Sequence, residues 1–203
     1  NRMLTRKDMP KLKSDVTAMH FGSIALINEP AASTHAALLK RESRKRVICL
    51  DPNIRPTVIK SKPPYLKRLN QLIRLVDILK ISDEDVRWMT GHADFAAAAR
   101  KWLKAGVKVV VITKGGEGVE AFTRSYSLQR PSVPVQVVDT VGAGDTFTAG
   151  LLCSLEKAGL LDKASLASID QPSLAGCLDF AARAAAVTCS RAGANPPWAH
   201  ELA

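Results

Sequence analysis

The apolar positions of this chain fall into short runs separated by polar and amphipathic stretches. Arg46–Asp51 (RVICLD), Asp77–Ile81 (DILKI) and Val107–Thr113 (VKVVVIT) are brief and nearly continuous in Val, Ile and Leu, as expected of parallel strands covered on both faces. Ala18–Ile27 reads as a further strand that leaves into a loop, and Val119–Thr123 and Val133–Val138 as shorter strands. Between them a helical period predicts helices over 33–44, with Ser33 or Thr34 as cap, and over Tyr65–Val76, Phe95–Leu103, Gly144–Lys157 and Pro172–Cys189. Ser82 followed by Asp85 is a capping-box-like start for one more. Strands alternating with helices predict an α/β fold with an open, mostly parallel sheet flanked by helices. Ligands of such sheets lie beyond the carboxyl ends of the strands. Chemistry is therefore to be sought just after Asp51, Ile81, Thr113 and Val138.

Composition narrows this only slightly. A chain of 203 residues, 46% hydrophobic and 24% charged, is long enough for one domain with its own core. Its formal charge of +10 calls for a polyanionic partner, either nucleic acid or a nucleotide triphosphate. The basic residues are scattered, with small clusters at Arg41–Arg46 and Lys60–Arg68, and only 5% of residues are aromatic. That pattern suits solvated helix faces better than a nucleic-acid surface, so no nucleic-acid partner is expected. Cys49, Cys153, Cys177 and Cys189 are far apart and form no C-x-x-C pair, which suits buried free thiols in a reducing compartment and predicts a cytoplasmic protein. No stretch approaches the roughly 18–20 apolar residues of a membrane helix. The four histidines have no metal-ligand spacing.

The strongest chemical signal is Asp139–Phe147 (DTVGAGDTF), between an expected strand and an expected helix. Its glycines let backbone N–H groups converge where a helix N-terminus already attracts anions. Gly142, Ala143 and Gly144 are the candidate anion hole. Asp145 in the same turn suits a base that deprotonates a hydroxyl while the hole stabilises a transferring phosphoryl group, although it could also merely cap the helix. A second glycine-rich turn, Thr113-Lys114-Gly115-Gly116-Glu117-Gly118, ends a buried strand and allows close backbone approach of a nucleotide, or forms a hairpin. Asp51-Pro52-Asn53-Ile54-Arg55 also leaves a strand end, where an arginine can fork onto a phosphate or sugar oxygen. No G-x-x-x-x-G-K-[ST] is present, so the phosphate logic is not that of a P-loop.

Together with FGSIALINEP at Phe21–Pro30, DPNIRP at Asp51–Pro56, KISDEDVRWMTG at Lys80–Gly91, ITKGGEGV at Ile112–Val119 and SRAGANPP at Ser190–Pro197, the DTVGAGDTF stretch closely resembles the ribokinase-like (phosphofructokinase-B) sugar kinases. The combination is typical of bacterial fructokinase-like members. The resemblance implies a ribokinase-like fold, ATP and Mg²⁺ as cofactors, a monosaccharide as substrate, and a homodimer for the complete enzyme. It implies Asp145 as the catalytic base, Thr113, Lys114, Gly115, Gly116, Gly118 and Asn53 at the nucleotide, and Arg55 with Asp145 at the substrate. The family's N-x-x-E element, which helps place Mg²⁺ through water, stands here as Ser82-Asp83-Glu84-Asp85. Asp85 is the remaining water-mediated candidate for Mg²⁺, with helix capping as the alternative.

Relative to the family pattern the chain begins well inside the fold, without the first strands, a glycine-rich sugar-binding segment and the small lid sheet. Residues 1–203 are accordingly expected to be the C-terminal major part of one kinase domain, with an apolar sheet edge such as Phe21–Ile27 or Arg46–Asp51 left open. Fructose is the expected acceptor. 2-Keto-3-deoxygluconate, ribose or a nucleoside, and a nucleotide-binding remnant without turnover, remain open as alternatives.

Overall fold

In the computed structural model, which describes residues 3–202, six strands form one sheet in sequential order. Strands β1 (Ala18–Gly22), β2 (Val47–Asp51), β3 (Ile78–Ser82) and β4 (Val109–Thr113) are parallel, and β5 (Val119–Phe122) and β6 (Ser127–Arg130) extend the sheet antiparallel. The helices are α1 (Ala31–Glu42), α2 (Lys62–Ile73), α3 (Asp83–Thr90), α4 (Phe95–Ala105), α5 (Ala143–Lys157), the short α6 (Lys163–Ala167) and α7 (Gln171–Cys189).

Alternation along the strands divides the core in two. Ile48, Leu50, Leu79, Ile81, Val110 and Ile112 pack with Leu39 of α1, Leu69 and Ile73 of α2 and Trp102 of α4. Val47, Cys49, Ile78, Val109 and Val111 face the other way, onto Leu151 and Leu155 of α5 and Leu174 and Leu178 of α7. Burial on both faces is why the strands read as unbroken apolar runs rather than as alternating ones. α5 is tied to α7 where the hydroxyl of Thr188 donates to that of Thr146 at 3.0 Å, a buried contact.

The α/β architecture is as expected, with several local departures. Val133–Val138 is not a strand; the strand here is Ser127–Arg130, of which only Leu128 is buried. Pro131 and Pro134 bring no backbone N–H to a ladder, and Val133, Val135 and Val137 line a cavity instead. α1 begins at Ala31, so neither Ser33 nor Thr34 caps it: the Ser33 N–H donates to the Glu29 carboxylate, and the Thr34 hydroxyl lies within hydrogen-bonding distance of the carbonyls of Leu4 and Pro30. β1 stops at Gly22 and gives way to a 3₁₀ turn. β2 is paired on both sides, leaving β1 as the edge. Cys49 and Cys177 are buried, but Cys153 is exposed, on the outward side of α5. Among the described residues no helix is long and apolar enough to cross a membrane.

Candidate active site

The carboxyl ends of β2, β3 and β4 and the N-terminus of α5 meet at one edge of the sheet. The loop from β6 to α5 is held by Asp139. One of its carboxylate oxygens accepts the N–H of Val141 at 3.0 Å and the other that of Gly193 at 2.8 Å. These backbone donors, Val141 first, hold its carboxyl below the ordinary carboxylate value. The chain then turns through Gly142, whose φ of 80° is left-handed. A Cβ there would stand 2.9 Å from that of Ala194, so the position requires glycine on two counts.

α5 starts immediately after this turn with no side-chain cap. The Ala143 N–H turns back to the Thr140 carbonyl at 3.2 Å, which removes it from the expected anion hole. The N–H groups of Gly144 and Asp145 have no acceptor among the described residues and stand at the positive end of a 15-residue helix. Asp145 is exposed and does not cap α5, and its carboxylate makes no hydrogen bond among the described residues. A free carboxylate beside free helix N–H groups is the arrangement required of a base next to a transferring anion.

The second glycine turn faces the same opening. Lys114 N–H donates to the Gly118 carbonyl at 2.9 Å, and the Ser132 hydroxyl donates to the Gly116 carbonyl at 2.6 Å. Gly118 has φ 92°, and a Cβ on it would come within 2.2 Å of the Arg130 carbonyl oxygen, so the turn packs directly on the end of β6. Between this turn and α5 lies a cavity of about 400 Å³. Thr113, Gly115, Gly116 and Gly118 line one side and Ala143, Gly144 and Phe147 the other; Val133, Val135 and Val137 and, from α7, Ala182, Ala186 and Cys189 complete it. Its size and mostly apolar walls suit a heteroaromatic base, with the glycine turn and the α5 N-terminus placed for a phosphate chain.

Beneath the opening is a buried ion pair. Lys80 of β3 reaches Asp51 at the end of β2, with Nζ 2.8 Å from Oδ2 and both side chains 5% exposed. Asp85, in the first turn of α3, accepts the Ile54 N–H at 3.0 Å and so anchors the 51–55 loop. Burial pushes its carboxyl up to about 6 against the pull of that N–H. Desolvation likewise lowers His20 on β1, while the nearby carboxylates of Asp51 and Asp145 favour its charged form and Lys80 opposes it. His20, Asp51, Lys80 and Asp145 therefore share one electrostatic environment.

Of the residues singled out from sequence, Thr113, Gly115, Gly116, Gly118, Ala143 and Gly144 border the cavity. Lys114 does not. Its ammonium faces Glu120 at 3.4 Å. Asn53 and Arg55 also lie off the cavity, on the loop after β2, where the Arg55 guanidinium donates to the carbonyls of Asn53 and Ile54 and to the Asn53 side chain. Ser82 is the N-cap of α3, accepting the Asp85 N–H at 3.1 Å. No group of three His, Cys, Asp or Glu among the described residues could hold a metal on protein donors alone. Mg²⁺, which keeps several waters and uses phosphate oxygens, fits here only through such partners; Asp85, the carboxylate expected from the sequence, accepts the Ile54 N–H. Sequence reading does not single out Lys80, Asp51 or His20. The available signal is a lysine inside the otherwise apolar run Ile78–Ile81, where a buried charge needs a partner.

Fold and site together define an α/β protein with a glycine-lined cavity and a helix N-terminus without a side-chain cap at the carboxyl edge of a mostly parallel sheet. The chain belongs to the pfkB family of carbohydrate kinases, whose family model matches residues 3–201. It is 50% identical over 173 residues to the fructokinase of Rhizobium leguminosarum bv. trifolii, across 85% of this chain and 53% of that protein. Among solved structures, the fructokinase of Xylella fastidiosa with bound ATP superposes with a TM-score of 0.81 at 27% identity, over 89% of this chain and 57% of that one. A fructokinase of Vibrio cholerae O395 in a fructose-, ADP- and calcium-bound form gives a TM-score of 0.81 at 25% identity, over 95% of this chain and 60% of that one. The chain spans about half the length of the curated relatives it matches.

Proposed function

We propose that this chain carries the nucleotide-binding and phosphoryl-transfer part of an ATP-dependent fructokinase. The observation that carries the reading is the unbonded carboxylate of Asp145 beside the free N–H groups of Gly144 and Asp145, in the helix turn whose Ala143 and Gly144 line the cavity opposite the second glycine turn. Fructose is favoured as acceptor by the 50% identity to a bacterial fructokinase.

In this mechanism the adenine lies between Val133, Val135 and Ala186, and the phosphates run past Gly115–Gly118 to the α5 N-terminus. Asp145 accepts the proton of a sugar hydroxyl. The alkoxide oxygen forms its bond to the γ-phosphorus as the bond to the ADP oxygen breaks, and the helix N–H groups hold the charge of the transferring group. Mg²⁺ would neutralise nucleotide phosphate charge, with Asp85 contributing through water. Asn53 and Arg55 meet nucleotide and sugar from the 51–55 loop, which requires the Arg55 guanidinium to exchange its loop carbonyls for ligand oxygens.

The test is ADP formation by the full gene product on fructose, 2-keto-3-deoxygluconate and ribose. The highest kcat/KM is expected on fructose. Preference for the keto-acid sugar would overturn the acceptor assignment, and ATP binding without turnover on any sugar would overturn the kinase reading.

A further inference from the structure

Lys80 occupies the third position of β3, an interior strand paired with β2 and β4, in a run otherwise made of Ile and Leu. Its side chain turns to the same face as Ile78, the face covered by α5 and α7. The ammonium has Asp51 as its one hydrogen-bond acceptor among the described residues, at 2.8 Å. The other Asp51 oxygen accepts the Asn53 N–H at 3.2 Å. An ammonium carries three N–H donors, so two are left without a protein acceptor. The same Nζ lies 3.1 Å from where a Cβ on Gly144 would stand, which places it against the first turn of α5.

Stability does not account for this pair. A buried ion pair is commonly replaced by apolar side chains of similar volume at no loss, and sometimes at a gain. Position does account for it: the charge sits at the carboxyl edge of the sheet, under the helix turn whose N–H groups are free.

We propose that Lys80 is a further catalytic residue, whose ammonium, oriented by Asp51, donates from the sheet side to an oxygen of the γ-phosphoryl group held at the N-terminus of α5. Asp51 is the positioning residue. Cation and helix terminus then clamp the transferring group between them, where its charge is carried on equatorial oxygens. This assignment rests on the phosphoryl-transfer reading above.

The experiment uses the full gene product, with Lys80→Met and the double variant Lys80→Met/Asp51→Leu, measuring kcat, sugar KM, melting temperature and the affinities for ATP and ADP. Both variants are expected to lose about 10²-fold or more in kcat, as when one oxyanion donor is removed, with sugar KM little changed. ATP affinity is expected to fall and ADP affinity to stay, because the contact is to the γ-phosphoryl. The double variant is expected to melt at or above the wild type. It also decides the matter should Lys80→Met alone fail to fold with Asp51 left unpaired. Wild-type kcat in either variant, equal losses of ATP and ADP affinity, or a double variant that melts well below wild type would overturn the proposal. A wild type that binds ATP yet phosphorylates no sugar would sink the kinase reading alone, and loss of ATP over ADP preference in Lys80→Met would still support the contact.

Discussion

A Cβ built on Gly142 would stand 2.9 Å from the Cβ of Ala194, so the turn that opens α5 is packed against the segment following α7 with no room for a side chain. Gly144, two residues on, has no positive φ, and its Cβ would approach only the Lys80 ammonium, at 3.1 Å. The two glycines should therefore respond differently. Gly142→Ala combines a left-handed backbone with a backbone and side-chain clash and is expected to destabilise the fold by about 1–3 kcal/mol or more. Gly144→Ala is expected to leave the melting temperature close to wild type, since alanine is the better helix former by about 0.5–1 kcal/mol, while lowering kcat. Melting curves and kinetics on both variants check this; equal stability of the two would contradict the packing described.

Asp85 gives a pH prediction. Burial raises its carboxyl from the ordinary 3.8 to about 6, so the native state binds this proton more tightly than the unfolded chain. The stability associated with the neutral form is then fully present below about pH 4 and is lost as pH rises through about 6, by up to about 3 kcal/mol. Asp85→Asn keeps an acceptor for the Ile54 N–H without the charge. Its melting temperature relative to wild type is expected to rise between pH 4 and pH 7.5. A constant or falling difference over that range would show that Asp85 is not desolvated.

The cavity between the second glycine turn and α7 is assigned to the adenine, so filling it should act on nucleotide alone. Ala186→Phe is expected to raise KM for ATP by about tenfold or more, the equivalent of about 1.4 kcal/mol of lost binding, with sugar KM unchanged. Unchanged ATP KM would place the base elsewhere.

Much of the parallel sheet is legible in the sequence because strands buried on both faces leave unbroken apolar runs, as Val109–Thr113 does. The α5 turn is legible because its glycines and Asp145 are contiguous. β6 is not, because an edge strand needs only one buried residue, here Leu128, and Ser127–Arg130 otherwise resembles a loop. Val133–Val138 misleads in the opposite sense: its valines suit a strand, yet Val133, Val135 and Val137 serve as cavity wall in a proline-punctuated segment. The Lys80–Asp51 pair is hidden because 29 positions separate its partners, and only the register of β2 beside β3 brings them together. Arg55 and Lys114 are cations beside candidate phosphate loops whose local partners, the Asn53 and Ile54 carbonyls for one and the Glu120 carboxylate for the other, are not legible from residue type.

The central claim is that Asp145 takes the sugar proton, and Asp145→Asn in the full gene product tests it most directly. The amide fills the same space without accepting a proton, and the carboxylate supports no hydrogen bond of the fold among the described residues. The account predicts a kcat reduced by about 10²–10⁴-fold, with melting temperature and ATP affinity unchanged. Near-normal turnover in Asp145→Asn would contradict it.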